Sequence, residues 1–114
     1  MRKRSEFLRV QAEGRRATSA SFVFLVLPGP DAQAPSRLGL VTTKKVGNAV
    51  VRNRMRRLCR EAFRLSPDYV PAGTWLVVIV RAALDGIGLE AVMAEWRKAR
   101  PKVLTALQSF PKSR

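Results

Sequence analysis

A chain of 114 residues with 46% hydrophobic side chains has the size and apolar content of one folded domain. It carries 22 Lys and Arg against 8 Asp and Glu, and a net charge of +14 on so small a body points to a polyanionic partner. With no His and a single Cys, a Cys/His zinc cluster, a Ser-His-Asp triad, a Cys-His pair and an intrachain disulfide are excluded. The lone thiol fits a reducing compartment. The basic start Met1-Arg2-Lys3-Arg4 runs into Ser5, Glu6 and Arg9 instead of an apolar stretch, so it does not read as a secretory signal. The most strongly apolar run, residues 75–80, is far short of the ~20 residues of a membrane span. A cytoplasmic protein with no membrane partner is expected.

A helix is predicted over residues 5–13, with Ser5 as its N-cap and Gly14 just past its end. Residues 15–20 are polar and can hold a short edge strand. Enrichment in Phe and Val predicts a strand over residues 21–27. Pro28-Gly29-Pro30 and then Pro35 predict a loop, because Pro removes a backbone donor and Gly frees the chain. Another strand follows over residues 37–43, and strands 21–27 and 37–43 are expected to pair as an antiparallel hairpin.

Residues 48–65 carry the clearest helical period. Val51, Met55, Leu58, Ala62 and Leu65 fall on one stripe, with Cys59 and Phe63 beside it. Asn53, Arg56, Arg57, Arg60 and Arg64 occupy the opposite arc. Ser66-Pro67-Asp68 should end the helix, since the residue before a proline leaves helical geometry. Trp75-Leu76-Val77-Val78-Ile79-Val80, bounded by Gly73 and Asp85-Gly86, predicts a central strand over residues 74–81, covered on both faces. A last helical segment over residues 89–110 includes Pro101, which is expected to kink or split it. The basic ends, residues 1–4 and 111–114, are expected to be flexible parts of a single domain, residues 1–114. Helices should pack mainly on one side of a small sheet, leaving the other face for a ligand.

The position of the charge is more informative than its sum. Residues 37–64 hold nine basic groups against the single acid Glu61. A solvated helix face mixes signs, with Glu placed four residues before Lys or Arg. This face is almost all Arg, the side chain suited to bidentate phosphate contact and to stacking on bases. Arg52 and Arg54 lie near the helix N-terminus, where cations oppose the dipole and a bound phosphate would reverse the penalty. Lys44-Lys45-Val46-Gly47-Asn48 leads into the helix as a phosphate-receiving entry or as an ordinary Gly turn with an Asn cap. It is not a P-loop, whose spacing is absent. Phe22 and Phe24 are expected in the core; Phe7 suits core packing and base stacking equally. Cys59, Trp75 and Trp96 are expected in the core. The acids form no evident metal pair or catalytic dyad.

The stretch from Lys44 to Arg64, with Arg52-Asn53-Arg54 followed by Arg56, Arg57 and Arg60, closely resembles the signature of the bacterial ribonuclease P protein component. Glu6-Phe7, Phe22, Leu38-Gly39-Leu40 and the apolar strand ending in Arg81 agree in order, and the similarity spans roughly residues 2–110. The resemblance implies an α+β fold, a two-layer α/β sandwich of the ribosomal protein S5 domain 2-like type in the order αβββαβα. Its small mixed sheet would contain a left-handed βαβ crossover, against the usual right-handed rule. It further implies a subunit of an endoribonuclease whose RNA component is catalytic and removes the 5′ leader of precursor tRNA. Mg²⁺ would be held mainly by that RNA, with no catalytic residue or metal ligand on this chain. The partners implied are the catalytic RNA and precursor tRNA, with no obligate protein partner.

Carried over by position, Arg52, Asn53, Arg54, Arg56, Arg57 and Arg60 should meet RNA, supported by Lys44, Lys45 and Asn48. Phe7 should line the leader cleft, with Val23, Leu25, Val41 and Thr43 beside it. Gln11 and Leu25 stand where relatives often carry aromatics, which implies weaker stacking on the leader. On composition alone, a structural, ribosomal-type RNA-binding protein competes with this reading. A stand-alone nuclease is disfavoured by the missing His and carboxylate cluster.

Overall fold

The computed structural model describes residues 4–82 and 88–111. The elements in order are α1 (Arg4–Glu13), β1 (Arg15–Thr18), β2 (Phe22–Pro28), β3 (Arg37–Thr42), a 3-10 turn (Lys44–Val46), α2 (Ala49–Arg64), β4 (Thr74–Val80) and α3 (Leu89–Gln108). This is the expected αβββαβα order, built around a four-stranded mixed sheet.

The sheet order is β1-β2-β4-β3. The expected β2–β3 hairpin does not form. β2 pairs antiparallel with β1 on one side and with β4 on the other, while β3 runs parallel to β4. The reason lies in β4. It is apolar from Trp75 to Val80 and nearly all buried, so it occupies the middle of the sheet and separates β2 from β3. α2 is then the crossover that joins the parallel pair.

Alternation divides the sheet into two faces. Phe22, Phe24 and Val26 of β2 and Leu76, Val78 and Val80 of β4 face α2 and α3, where Met55, Cys59, Ala62, Val92, Trp96 and Val103 complete the main core. Phe24, Tyr69 and Trp96 form its aromatic centre, with Tyr69 and Trp96 rings 5.2 Å apart and Phe24 and Trp96 rings edge to face at 5.7 Å. The Tyr69 hydroxyl donates to the Trp96 carbonyl at 2.6 Å.

Val23, Leu25, Leu27, Trp75 and Val77 form the opposite face, and Val10 of α1 is fully buried on them. That face is therefore not open along its length, as expected from sequence. β2 and β4 are apolar on both faces, and burying one side chain such as Val10 is worth about 1.5–3 kcal/mol. α1 covers this second face over β2 and β4.

Several boundaries differ by a residue. Leu65 is the C-cap of α2 and is 44% exposed, so it leaves the buried stripe. Arg4, expected in a flexible end, opens α1. α3 continues through the exposed Pro101 without splitting. Residues 1–3 and 112–114, expected to be flexible, and the Asp85-Gly86 turn lie outside the described residues.

Candidate nucleic-acid interface

The entry to α2 is built by local chemistry. Lys44 and Lys45 are exposed on the 3-10 turn, and Val46 between them and the helix is buried as its anchor. Gly47 has φ 146°, a conformation that L side chains rarely adopt, so the turn requires glycine. Asn48 follows as N-cap, its Oδ1 accepting from the Val51 N–H at 3.1 Å. The first turn of α2 contains no acid. The positive end of the helix dipole thus lies beside Lys44, Lys45, Arg52 and Arg54, a local field that favours an anion.

α2 carries six arginines and one acid, Glu61. Arg64 holds that acid with Nε to Oε1 at 2.9 Å and Nη2 to Oε2 at 2.5 Å. This hydrogen bond holds the Glu61 carboxyl below its ordinary range and the Arg64 guanidinium above its own. Asn53, Arg54, Arg57 and Arg60 are exposed, and Arg52 and Arg56 are half-buried. Arg56 Nε donates to Thr42 Oγ1 at 3.1 Å, which ties the basic face to the end of β3.

Beside β3, one of the two outer strands, lies a groove of about 580 Å³. Phe7 of α1, Leu38, Gly39 and Leu40 of β3, and Arg56, Arg60, Phe63 and Arg64 of α2 line it. Phe7 stands so close over Gly39 that a Cβ there would come within 2.7 Å of its Cζ. Arg37 keeps α1 in place, Nη1 meeting Glu6 Oε2 at 2.8 Å. A flat ring, an apolar floor and arginines at one rim can hold an unpaired base and its phosphate together.

The structure therefore brings Phe7, Arg56 and Arg60 into one groove. Arg52, Asn53, Arg54, Arg57, Lys44, Lys45 and Asn48 lie on α2 or its entry, next to that groove. Val41 is half-buried on the sheet face that Gly39 shares, and Thr43 is exposed just past β3 at the start of the 3-10 turn. Val23 and Leu25 are only 7% and 8% exposed and belong to the core under α1. Phe63 is a lining residue that the sequence reading placed only beside the apolar stripe. Its position at the stripe's edge, one turn from Arg60 and two from Arg56, was the available signal.

Cys59 is fully buried, and its thiol is pushed up to about 12, first by burial and then by the charge of Glu95. It is therefore not a nucleophile. Phe22, Phe24, Trp75 and Trp96 are core residues, as expected. Among the described residues no three His, Cys, Asp or Glu side chains gather to hold a metal ion. The acids nearest the groove, Glu6 and Glu61, are each engaged by an arginine.

A family model described as Ribonuclease P matches residues 1–104. The ribonuclease P protein component of Gluconacetobacter diazotrophicus is 43% identical over 103 residues, which cover 90% of this chain and 88% of that protein. Among solved structures, the RNase P protein of Thermotoga maritima is similar with a TM-score of 0.66 and 31% identity, over 98% of this chain and 97% of that one. A mutant RNase P protein of Staphylococcus aureus is similar with a TM-score of 0.79 and 25% identity, over 94% and 88%. Sequence, fold and the arginine-rich crossover helix agree, and the chain belongs to the ribonuclease P protein component family.

Proposed function

We propose that this chain, as a protein component of the tRNA-processing endoribonuclease ribonuclease P, binds the catalytic RNA with α2 and the 5′ leader of precursor tRNA in the groove beside β3. The observation that carries the reading is the meeting of an arginine face with an aromatic-lined groove at one edge of the sheet. Arg52, Arg54, Arg57 and Arg60, with Lys44 and Lys45, neutralise phosphates, and the Asn48-capped helix end adds its dipole. Phe7 offers a face to a leader base, while Arg56 and Arg60 hold the adjoining phosphate. In this reading the catalytic groups are not drawn from this chain: the Mg²⁺ ions serving cleavage are held mainly by the RNA, and the RNA hydrolyses the phosphodiester.

Cleavage of precursor tRNA by a bacterial ribonuclease P RNA at low Mg²⁺, with and without the protein, tests this. Strong stimulation and an inactive protein-only reaction are expected. In the same assay Phe7→Ala should weaken binding of leader-bearing tRNA more than of mature tRNA, by about 1–3 kcal/mol for one lost stack. No stimulation with RNA binding intact would instead identify a structural RNA-binding protein, and equal losses for both tRNAs would return Phe7 to the core.

A further inference from the structure

A second basic groove runs along the other edge of the sheet, between β1 and α3. Two adjoining hollows of about 520 Å³ each share Thr18 and Lys102 as lining residues. Arg16, Lys98 and Lys102 supply their cations, and Thr18 and Thr105 are exposed hydroxyls on the walls. The one acid among the lining residues, Glu95, is turned to a structural task. Its Oε2 accepts from the Ser21 N–H at 2.7 Å and from the Ser19 hydroxyl. Both hollows have alanines between the cations, so a bulky chain can lie against the backbone of β1 and α3.

The cations are spaced for a strand of phosphates. Lys98 and Lys102 are one helical turn apart, about 6 Å along α3, and Arg16 continues the row from β1. On a face that serves only solubility, like charges four residues apart are a small liability, and an acid is the usual neighbour. Here three cations line the hollows against one carboxylate, Glu95, whose Oε2 is engaged by the Ser21 N–H and the Ser19 hydroxyl. β1 and β3 are the two outer strands, three strand spacings or roughly 14 Å apart. The α2 face and this groove therefore lie toward opposite edges of the sheet, with its width between them.

We propose that the groove between β1 and α3 is a second RNA-binding surface, taking the phosphate backbone of an RNA segment different from the one on α2. The protein then acts as a bridge between two RNA segments as well as a holder of the leader. The inference goes beyond the function proposed above and shares with it only the premise that the ligand is RNA.

Acetylation of lysine amines, compared between the free protein and its complex with a bacterial ribonuclease P RNA, reads both surfaces at once. Lys98 and Lys102 are expected to lose reactivity in the complex, together with Lys44 and Lys45. The double variant Lys98→Gln/Lys102→Gln should then lower the slope of log affinity against log salt by about 0.9 per lost duplex phosphate contact. Protection of Lys44 and Lys45 alone, or protection of Lys98 and Lys102 with an unchanged slope in the variant, would overturn the second surface and leave the first standing. Protection of Lys98 and Lys102 alone would support it and overturn the placement on α2. Protection at neither would overturn both.

Discussion

Cys59 sits on the inner side of α2, without exposure, and its thiol is pushed up to about 12 by burial and by Glu95. In the unfolded chain a thiol ionises near ~8.5. A group whose folded pKa is raised contributes its full stability below the unfolded value and loses it as pH climbs toward the folded one. The thiol should therefore cost up to about 1.4 kcal/mol per pH unit in the alkaline range between those values. Cys59→Ala removes that dependence. Its stability in denaturant titrations is expected to fall less steeply than that of the wild type between about pH 9 and 11, whatever the offset from the lost sulfur. Parallel curves would show that the thiol does not titrate differently on folding. Burial of Cys59 was legible because it flanks an apolar stripe. The need for Gly39 was not, because it arises from Phe7, which only the folded sheet brings above it.

Among elements, α2 was the most legible. Its period, its Asn48 cap and its end before Pro67 are all set by residues within a few positions of one another, and only Leu65 was assigned to the wrong side. Strand pairing was not legible in the same way. Whether β2 meets β3 is decided by β4, more than thirty residues after β3 begins, because β4 is apolar enough to take the centre. The groove between β1 and α3 was hidden for the same reason, since its walls come from opposite ends of the chain. For α2 itself, Arg57→Ala should lower the log–log salt slope of RNA binding by about one unit. It should leave stability within about 0.5 kcal/mol, because the side chain is exposed. An unchanged slope would remove Arg57 from the interface.

At the scale of the molecule, the charge of +14 is spread over a slab of 46 × 27 × 20 Å. Much of it stands on two flanks, with self-repulsion that favours expansion. At 0.1 M ionic strength the screening length is about 10 Å, shorter than the molecule. Raising salt should therefore raise Tm while weakening RNA binding, two responses of opposite sign in one protein. Thermal melts and RNA titrations over the same salt series check this. A Tm that falls with salt would mean that attractive pairs such as Arg37–Glu6 outweigh the repulsion. The expectation of a polyanion partner was legible from composition alone; its division between two edges needed the strand order.

The central place of β4 also bears on how the chain is made. A polypeptide emerges from its N-terminus, so β2, β3 and α2 are all present before the strand that joins them. Until residue 80 is available, β3 has no neighbouring strand and α2 has no complete sheet on which to bury Met55, Cys59 and Ala62. The nascent chain therefore presents its arginine-rich helix before it has a fold to mount it on. The four-stranded sheet can close only once β4 is made, and it closes from the middle.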